Sequence, residues 1–179
     1  MSNDFVKTYP DLDWLGRADK YEEEIFDIIN YIKLFDKFSR DEIQALCRFM
    51  QCYAAPRDFK LLNEGDSGDY LLLILSGTVQ VSKCIPDDSE RFLAQVGIGS
   101  TLGEMSMIDG QPRFATCTTI TPTDFAVLTR DSFNNVLIQL PRLGNKLLLT
   151  LLQTSTMRLR EACERQMPLI SQMVSGTSI

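Results

Sequence analysis

With 179 residues, 44% of them apolar, the chain is long enough for one globular domain with added helices. Its longest apolar runs, such as YLLLIL and LLLTLL, fall far short of the eighteen or so residues a membrane span requires. The formal charge of −6 opposes general affinity for nucleic acid or anionic lipid. No histidine occurs anywhere, which removes the usual imidazole base, the Ser-His-Asp and Cys-His arrangements and His-based metal centres. The five cysteines (47, 52, 84, 117 and 163) form no CxxC pair and no metal-ligand spacing, so they read as reduced, packed thiols. The chain is therefore expected to be a non-enzyme, with no catalytic residue, metal ligand or cofactor assigned. The opening MSNDFVKTYPDLDW lacks a basic leader and an apolar h-region, giving a cytoplasmic expectation.

The first twenty residues are polar and mixed and are expected to be an arm rather than a core element. In YEEEIFDIINYIKLF, residues 21 to 35, Ile25, Ile28, Ile29, Ile32 and Phe35 recur at helical spacing behind an acidic first turn, which predicts an amphipathic helix. A second helix begins at SRDEIQALCRFM, where Ser39 and Glu42 stand at capping-box spacing. From about Gln51 to Leu128 the pattern changes to short β-rich runs (CYAA, FKLLNEG, YLLLILSGTVQVSK, RFLAQVG, ATCTTITPTDFAVLT), the signature of a sandwich or barrel. Ser76-Gly77 is expected to mark a hairpin, and IPDDSE, 85 to 90, a polar turn.

After Asp131, an expected cap, helical spacing returns in DSFNNVLIQL. Pro141 suits the first turn of a long helix, PRLGNKLLLTLLQTSTMRLREACERQM, which Pro168 should end. At 1.5 Å per residue this rod is roughly 40 Å long. Leu143, Leu147, Leu148, Leu151, Leu152 and Leu159 cover more than one stripe of it, with Gly144 and Ser155 permitting close approach. Either all of this packs on the chain's own barrel, or one stripe meets a partner helix from a second copy; the second reading is preferred. The expected division is an N-terminal arm and helix at 1–33, a β-rich body at 34–140, and the long helix with a short tail at 141–179.

The stretch GEMSMIDGQPRFAT, 103 to 116, sets Glu104 and Arg113 nine positions apart among small and apolar residues. A carboxylate accepts hydrogen bonds and a guanidinium donates them, so the pair suits a ligand carrying both a hydroxyl and an oxyanion, such as a sugar phosphate. An ion pair between two loops, with no ligand, is the alternative.

This stretch resembles the phosphate-binding cassette of the cyclic nucleotide-binding domain family, a Gly-Glu followed at fixed distance by Pro-Arg, a small residue and Thr. GDSGDYLLLILSGTVQV resembles the family's glycine-rich turn and hairpin, and GIGSTLGE its turn into the cassette. The resemblance runs from about Leu34 to Arg160. It implies a mainly β fold, an eight-stranded double-stranded β-helix jelly roll with N-terminal helices and a long C-terminal helix. It further implies that Glu104 accepts from the ribose 2′-hydroxyl and Arg113 pairs with the exocyclic phosphate. Gly103 lets backbone approach the sugar, the amides of Met105 and Ser106 face the ring phosphate, and those of Phe114 and Ala115 complete the cradle. By the same resemblance Met107 stands where a family leucine couples the cassette to the closing helices, and Met107 and Ile108 are expected beneath the cassette rather than on the ligand. Arg158 lies near the family's purine-capping position, or is a solvated surface arginine.

Phe114 departs from the Ala, Ser or Thr usual after the arginine. The missing hydroxyl favours cAMP over cGMP, while the bulk either stacks on the base or fills part of the pocket. No DNA-reading domain, membrane span or kinase segment is expected in PLISQMVSGTSI after the predicted stop. The leading expectation is a stand-alone cyclic nucleotide sensor, a homodimer through the long helix, that signals to an unidentified effector protein, with no nucleic acid or membrane partner. The second reading is an adaptor that keeps the jelly roll and binds no nucleotide.

Overall fold

A computed structural model describes residues 12–28, 32, 35–85 and 89–175. The strands are β1 (Asp13–Arg17), β2 (Gln51–Ala55), β3 (Lys60–Leu62), β4 (Tyr70–Ile74), β5 (Val79–Cys84), β6 (Glu90–Val96), β7 (Thr101–Leu102), β8 (Thr116–Thr119) and β9 (Thr123–Thr129). They form two antiparallel sheets, ordered β1-β2-β9-β4-β7 and β3-β8-β5-β6. Among the described residues, five α-helices flank them: α1 (Glu22–Asp27), α2 (Arg40–Cys47), α3 (Glu104–Asp109), α4 (Arg130–Gln139) and α5 (Pro141–Ser175). The architecture is the expected mainly β jelly roll with flanking helices and a long C-terminal helix, here with β1 added at the edge of the first sheet.

The run YLLLI explains how the layers stack. Side chains alternate across a strand, so an unbroken apolar run can satisfy two buried faces at once. In β4, Leu71 and Leu73 face the helices, joining Ile43, Leu46, Phe133, Leu147 and Leu151. Tyr70, Leu72 and Ile74 face the interior of the sandwich with Leu61, Val79, Cys117 and Phe125. Met107 of α3 belongs to the helix-side cluster, as expected, and so ties the cassette to α4 and α5.

Several expectations are corrected. Within the presumed arm, β1 pairs with β2 and both Leu12 and Ala18 are buried, because pairing satisfies backbone groups that a polar composition does not advertise. The predicted helix over 21–35 is shorter. α1 ends at Asp27, capped by Ile28, and Ile32 lies outside any helix although it and Phe35 are fully buried. Burial rather than helical phase places these two side chains, and β-branched isoleucines give the helix little propensity to continue. Ile29 lies outside the described residues. Ser76-Gly77 does turn the chain, but β4 and β5 belong to different sheets, so the turn is a corner between layers and not a hairpin. There Gly77 has φ +81°, and a Cβ would stand 2.4 Å from the Pro122 carbonyl oxygen.

The cap of α4 is Thr129, whose hydroxyl accepts from the Ser132 amide, and Asp131 sits in the first turn instead. α5 continues through Pro168 to Ser175. A proline inside a helix removes one N–H and crowds the carbonyl four residues back, yet its fixed φ is helical, so the rod need not stop there. Its 35 residues span about 52 Å. Gly144 does allow close approach, but to α4 of the same chain: a Cβ there would lie 2.8 Å from Leu137.

The Ser39–Glu42 capping box is present as predicted, with Glu42 Oε2 accepting from the Ser39 amide at 2.8 Å. The same oxygen accepts from Lys146 Nζ at 2.6 Å, pinning α2 to α5. The Lys146 hydrogen bond, followed by that from the Ser39 backbone, holds the Glu42 carboxyl below its ordinary value. A depressed folded-state value stabilises the fold above the ordinary carboxylate range and loses that contribution as pH falls through the folded value. Glu42→Gln should therefore flatten the acid limb of a melting-temperature profile below about pH 4.5. An unchanged limb would show that the pair does not matter to folding. The pair is about one-third exposed, so its effect at neutral pH is expected to be small.

Candidate functional site

The site is assembled by the turn between β3 and β4, by α3, and by the loop entering β8. Gly103, the N-cap of α3, has φ +78°, the left-handed conformation that glycine adopts without strain. A side chain there would also strike Arg113, since a Cβ would lie 2.6 Å from Nη1. The six-residue helix that follows carries Glu104 and Ser106 inward and Met105 outward. The first amides of such a helix have no intrahelical partner.

Arg113 is only 3% exposed. Its Nη1 donates to the carbonyl oxygens of Tyr70 and Gly103, both at 2.9 Å, and its guanidinium carbon lies 4.3 Å from the Tyr70 ring centroid. The backbone of Arg113 is held as well, its amide donating to Asp66 and its carbonyl accepting from Gly65. Among the described residues, Nη2 is buried with no hydrogen-bond partner. A guanidinium fastened along one edge and free at the other, in a desolvated setting, is built to receive an oxyanion.

Glu104, also 3% exposed, does not pair with Arg113. The simple loop ion pair between the two is thus not what forms. Oε1 of Glu104 instead accepts from Arg158 Nη1, and Nη2 of the same arginine donates to the Thr101 carbonyl at 2.8 Å. Arg158 reaches this point from α5, its side chain 41% exposed. It is no free surface arginine. A carboxylate accepts on two oxygens, so Oε2 can still serve a hydroxyl while Oε1 holds Arg158.

The charges of these groups also act on one thiol. Burial pushes Cys117 up to about 12, Glu104 adds to the shift, and Arg113 and Arg158 oppose it. Burial likewise raises Cys47 and Cys52 to about 12, so the three thiols stay protonated at neutral pH.

Phe114 points away from this cluster and is 54% exposed, whereas Ala115 is buried. Ile108, expected beneath the cassette, is instead about half exposed; six residues of helix present only one face to the core, and Met107 takes it. Two grooves lie elsewhere. One of about 500 Å³ follows α5 along Leu149, Leu152, Thr156 and Met157, and another of about 420 Å³ lies between α2 and the start of α5.

Three contributors were not singled out from sequence. Gly68 leaves room for the guanidinium, since a Cβ there would stand 2.2 Å from Arg113 Cζ. Lys83 grips Phe114 from β5. Arg130 Nη2 donates at 2.8 Å to the Ser106 carbonyl, joining α3 to α4. Its sequence signal is a cation in the first turn of its own helix, where the dipole disfavours it, which points to a partner elsewhere.

The cyclic nucleotide-binding domain model matches residues 56–139, spanning β3 to α4. A solved cyclic nucleotide-binding domain from Methylobacillus flagellatus KT is 55% identical, covers 94% of this chain and 96% of its own, and superposes with a TM-score of 0.83. The chain belongs to the cyclic nucleotide-binding domain family. Another family member, the CRP-like cAMP-activated global transcriptional regulator of Mycobacterium tuberculosis, is 30% identical over 122 residues, 68% of this chain and 54% of the regulator. The regulatory domain of Toxoplasma gondii PKA, solved with cAMP, is 31% identical, covers 65% of this chain and 44% of its own, and has a TM-score of 0.58. This domain thus spans about half the length of the curated regulator it matches.

Proposed function

We propose that this protein is a cytoplasmic cAMP sensor that reports ligand occupancy to a partner protein through α5. The observation that carries the reading is the free, buried Nη2 edge of Arg113. It supplies the phosphate donor, and Glu104, which follows the Gly103 whose carbonyl Arg113 binds, supplies the acceptor for the ribose hydroxyl. The ligand amides are those of Met105, Ser106, Phe114 and Ala115. The names of the regulators and of the PKA regulatory domain solved with cAMP support cAMP as the ligand.

Transmission follows from the contacts of α5. Leu143, Leu147 and Leu151 are buried with Met107, and Arg158 holds Glu104, so a ligand engaging Glu104 acts on the long helix through both its packing and an ion pair. Leu149, Leu152 and Leu159 are exposed on α5 and, with Thr156 between them, recur at alternating spacings of three and four. That is the seam of a two-helix coil, and it is assigned to a second copy of the chain, leaving an effector protein to read the resulting dimer.

Thermal denaturation with cAMP, cGMP and AMP tests the reading. A ligand that binds only the native state stabilises it by about 2.7 kcal/mol at a hundred times its Kd. The expected order is cAMP, then cGMP, with no shift from AMP, and the protein should sediment as a dimer. No shift from any of the three at about millimolar concentration would replace the sensor with the nucleotide-independent adaptor, and a monomer would remove the seam.

A further inference from the structure

Phe114 is the residue at which this cassette departs from its family, and its setting is unusual. It stands between two buried residues, Arg113 and Ala115, yet more than half of it faces water. A ring left to itself would reduce its exposure, and the buried side chain next to it in sequence is Arg113. A lysine contacts it there. Lys83 Nζ lies 4.2 Å from the Phe114 ring centroid and donates to the Phe114 carbonyl at 2.7 Å, so it grips both ring and backbone.

Lys83 is itself fixed. Nζ also donates to Glu64 Oε1 at 2.8 Å, and the other oxygen of Glu64 accepts from the Cys84 amide at 2.8 Å. The Glu64 amide donates to Thr116 Oγ1, two residues beyond Phe114. The Lys83 bond, then the Cys84 amide, holds the Glu64 carboxyl below its ordinary value. Three segments of chain, the β3–β4 turn, β5 and the loop entering β8, thereby close on one ammonium group.

We propose that Lys83, anchored by Glu64, is a positioning residue for nucleotide binding that parks the Phe114 ring away from Arg113 and the ligand it would hold. This rests on the sensor reading above. It makes affinity depend on residues that touch no part of the ligand, and explains how a large aromatic is accommodated where a small residue is usual.

A double-mutant cycle read by titration calorimetry with cAMP tests it. Lys83→Met should weaken binding roughly threefold to tenfold while Phe114 is present, and at most about twofold in a Phe114→Ala background, where no ring remains to be parked. Glu64→Gln, which loosens the anchor but keeps the lysine charge, should weaken binding in the same direction. Circular dichroism confirms that each variant is folded. An equal loss in both backgrounds would mean that the lysine charge attracts the phosphate directly, and would overturn the proposal, as would no loss with Phe114 present. If the parent binds no nucleotide but Phe114→Ala does, the ring blocks the ligand and the parked arrangement is wrong. If neither binds, the sensor reading falls and the proposal with it.

Discussion

Arg113→Ala is expected to lower cAMP affinity by roughly tenfold to more than a hundredfold, the worth of one charge-assisted bond to an oxyanion. The geometry adds a second consequence. Nη1 serves the carbonyls of Tyr70 and Gly103, and the guanidinium covers the Tyr70 ring, so removal also takes a donor from two backbone acceptors at the site. The Gly103 carbonyl still accepts from the Met107 amide, so the loss of these two bonds is expected to show as a modestly lower melting temperature without ligand. The variant should therefore fold, melt earlier and show no cAMP-dependent shift. Arg113→Lys keeps the charge but not the two-sided fork, so it should recover part of the melting temperature and little of the affinity. Calorimetry showing unchanged affinity in Arg113→Ala would reduce this arginine to a structural brace and remove the basis of the sensor reading.

Gly68→Ala should reproduce much of that loss with the arginine still in place. A Cβ at this position would stand 2.2 Å from Cζ, Nε and Nη2 of Arg113, closer than non-bonded atoms approach. A flexible side-chain end usually yields to such a clash. This one is held by two carbonyl bonds, an aromatic face and burial, so yielding means giving up the placement on which ligand binding depends. An affinity loss of more than about tenfold is expected, with the 1–3 kcal/mol destabilisation typical of overpacking. Because both substitutions act on one guanidinium, the double variant should bind no worse than Arg113→Ala alone. Additive losses would show that Gly68 acts by a route independent of Arg113.

The cassette was legible in the sequence because its constraints are local. Gly103 must take a left-handed conformation before α3, and a short helix with a return loop spaces Glu104 from Arg113. Ten residues of chain, Glu104 to Arg113, therefore carry the acid, the base and the backbone shape between them. The Ser39–Glu42 box is legible for the same reason, since both of its bonds span three residues. The partner of Glu104 was not legible. Arg158 lies 54 residues away, and nothing in the spacing says which of the arginines on or near α5 reaches β7. Gly68 is similar: its turn was recognisable, but the guanidinium it makes room for comes from the other side of the site.

Composition, the alternating runs and the helical C-terminal third determined by themselves that this is a β-rich body with helices around it, with a carboxylate and a guanidinium nine positions apart. These are properties of residue type and near-neighbour spacing, which local sterics and hydrogen bonding enforce wherever the chain goes. The tertiary structure decided that Ser76-Gly77 joins two sheets, that β1 belongs to the first sheet, that α1 ends at Asp27, that Arg158 meets Glu104, and that Lys83 meets Phe114. Those outcomes depend on which buried faces and charged groups meet once two sheets and five helices pack together. The free energy of such meetings resides in pairs of residues far apart in sequence, where no local pattern records it.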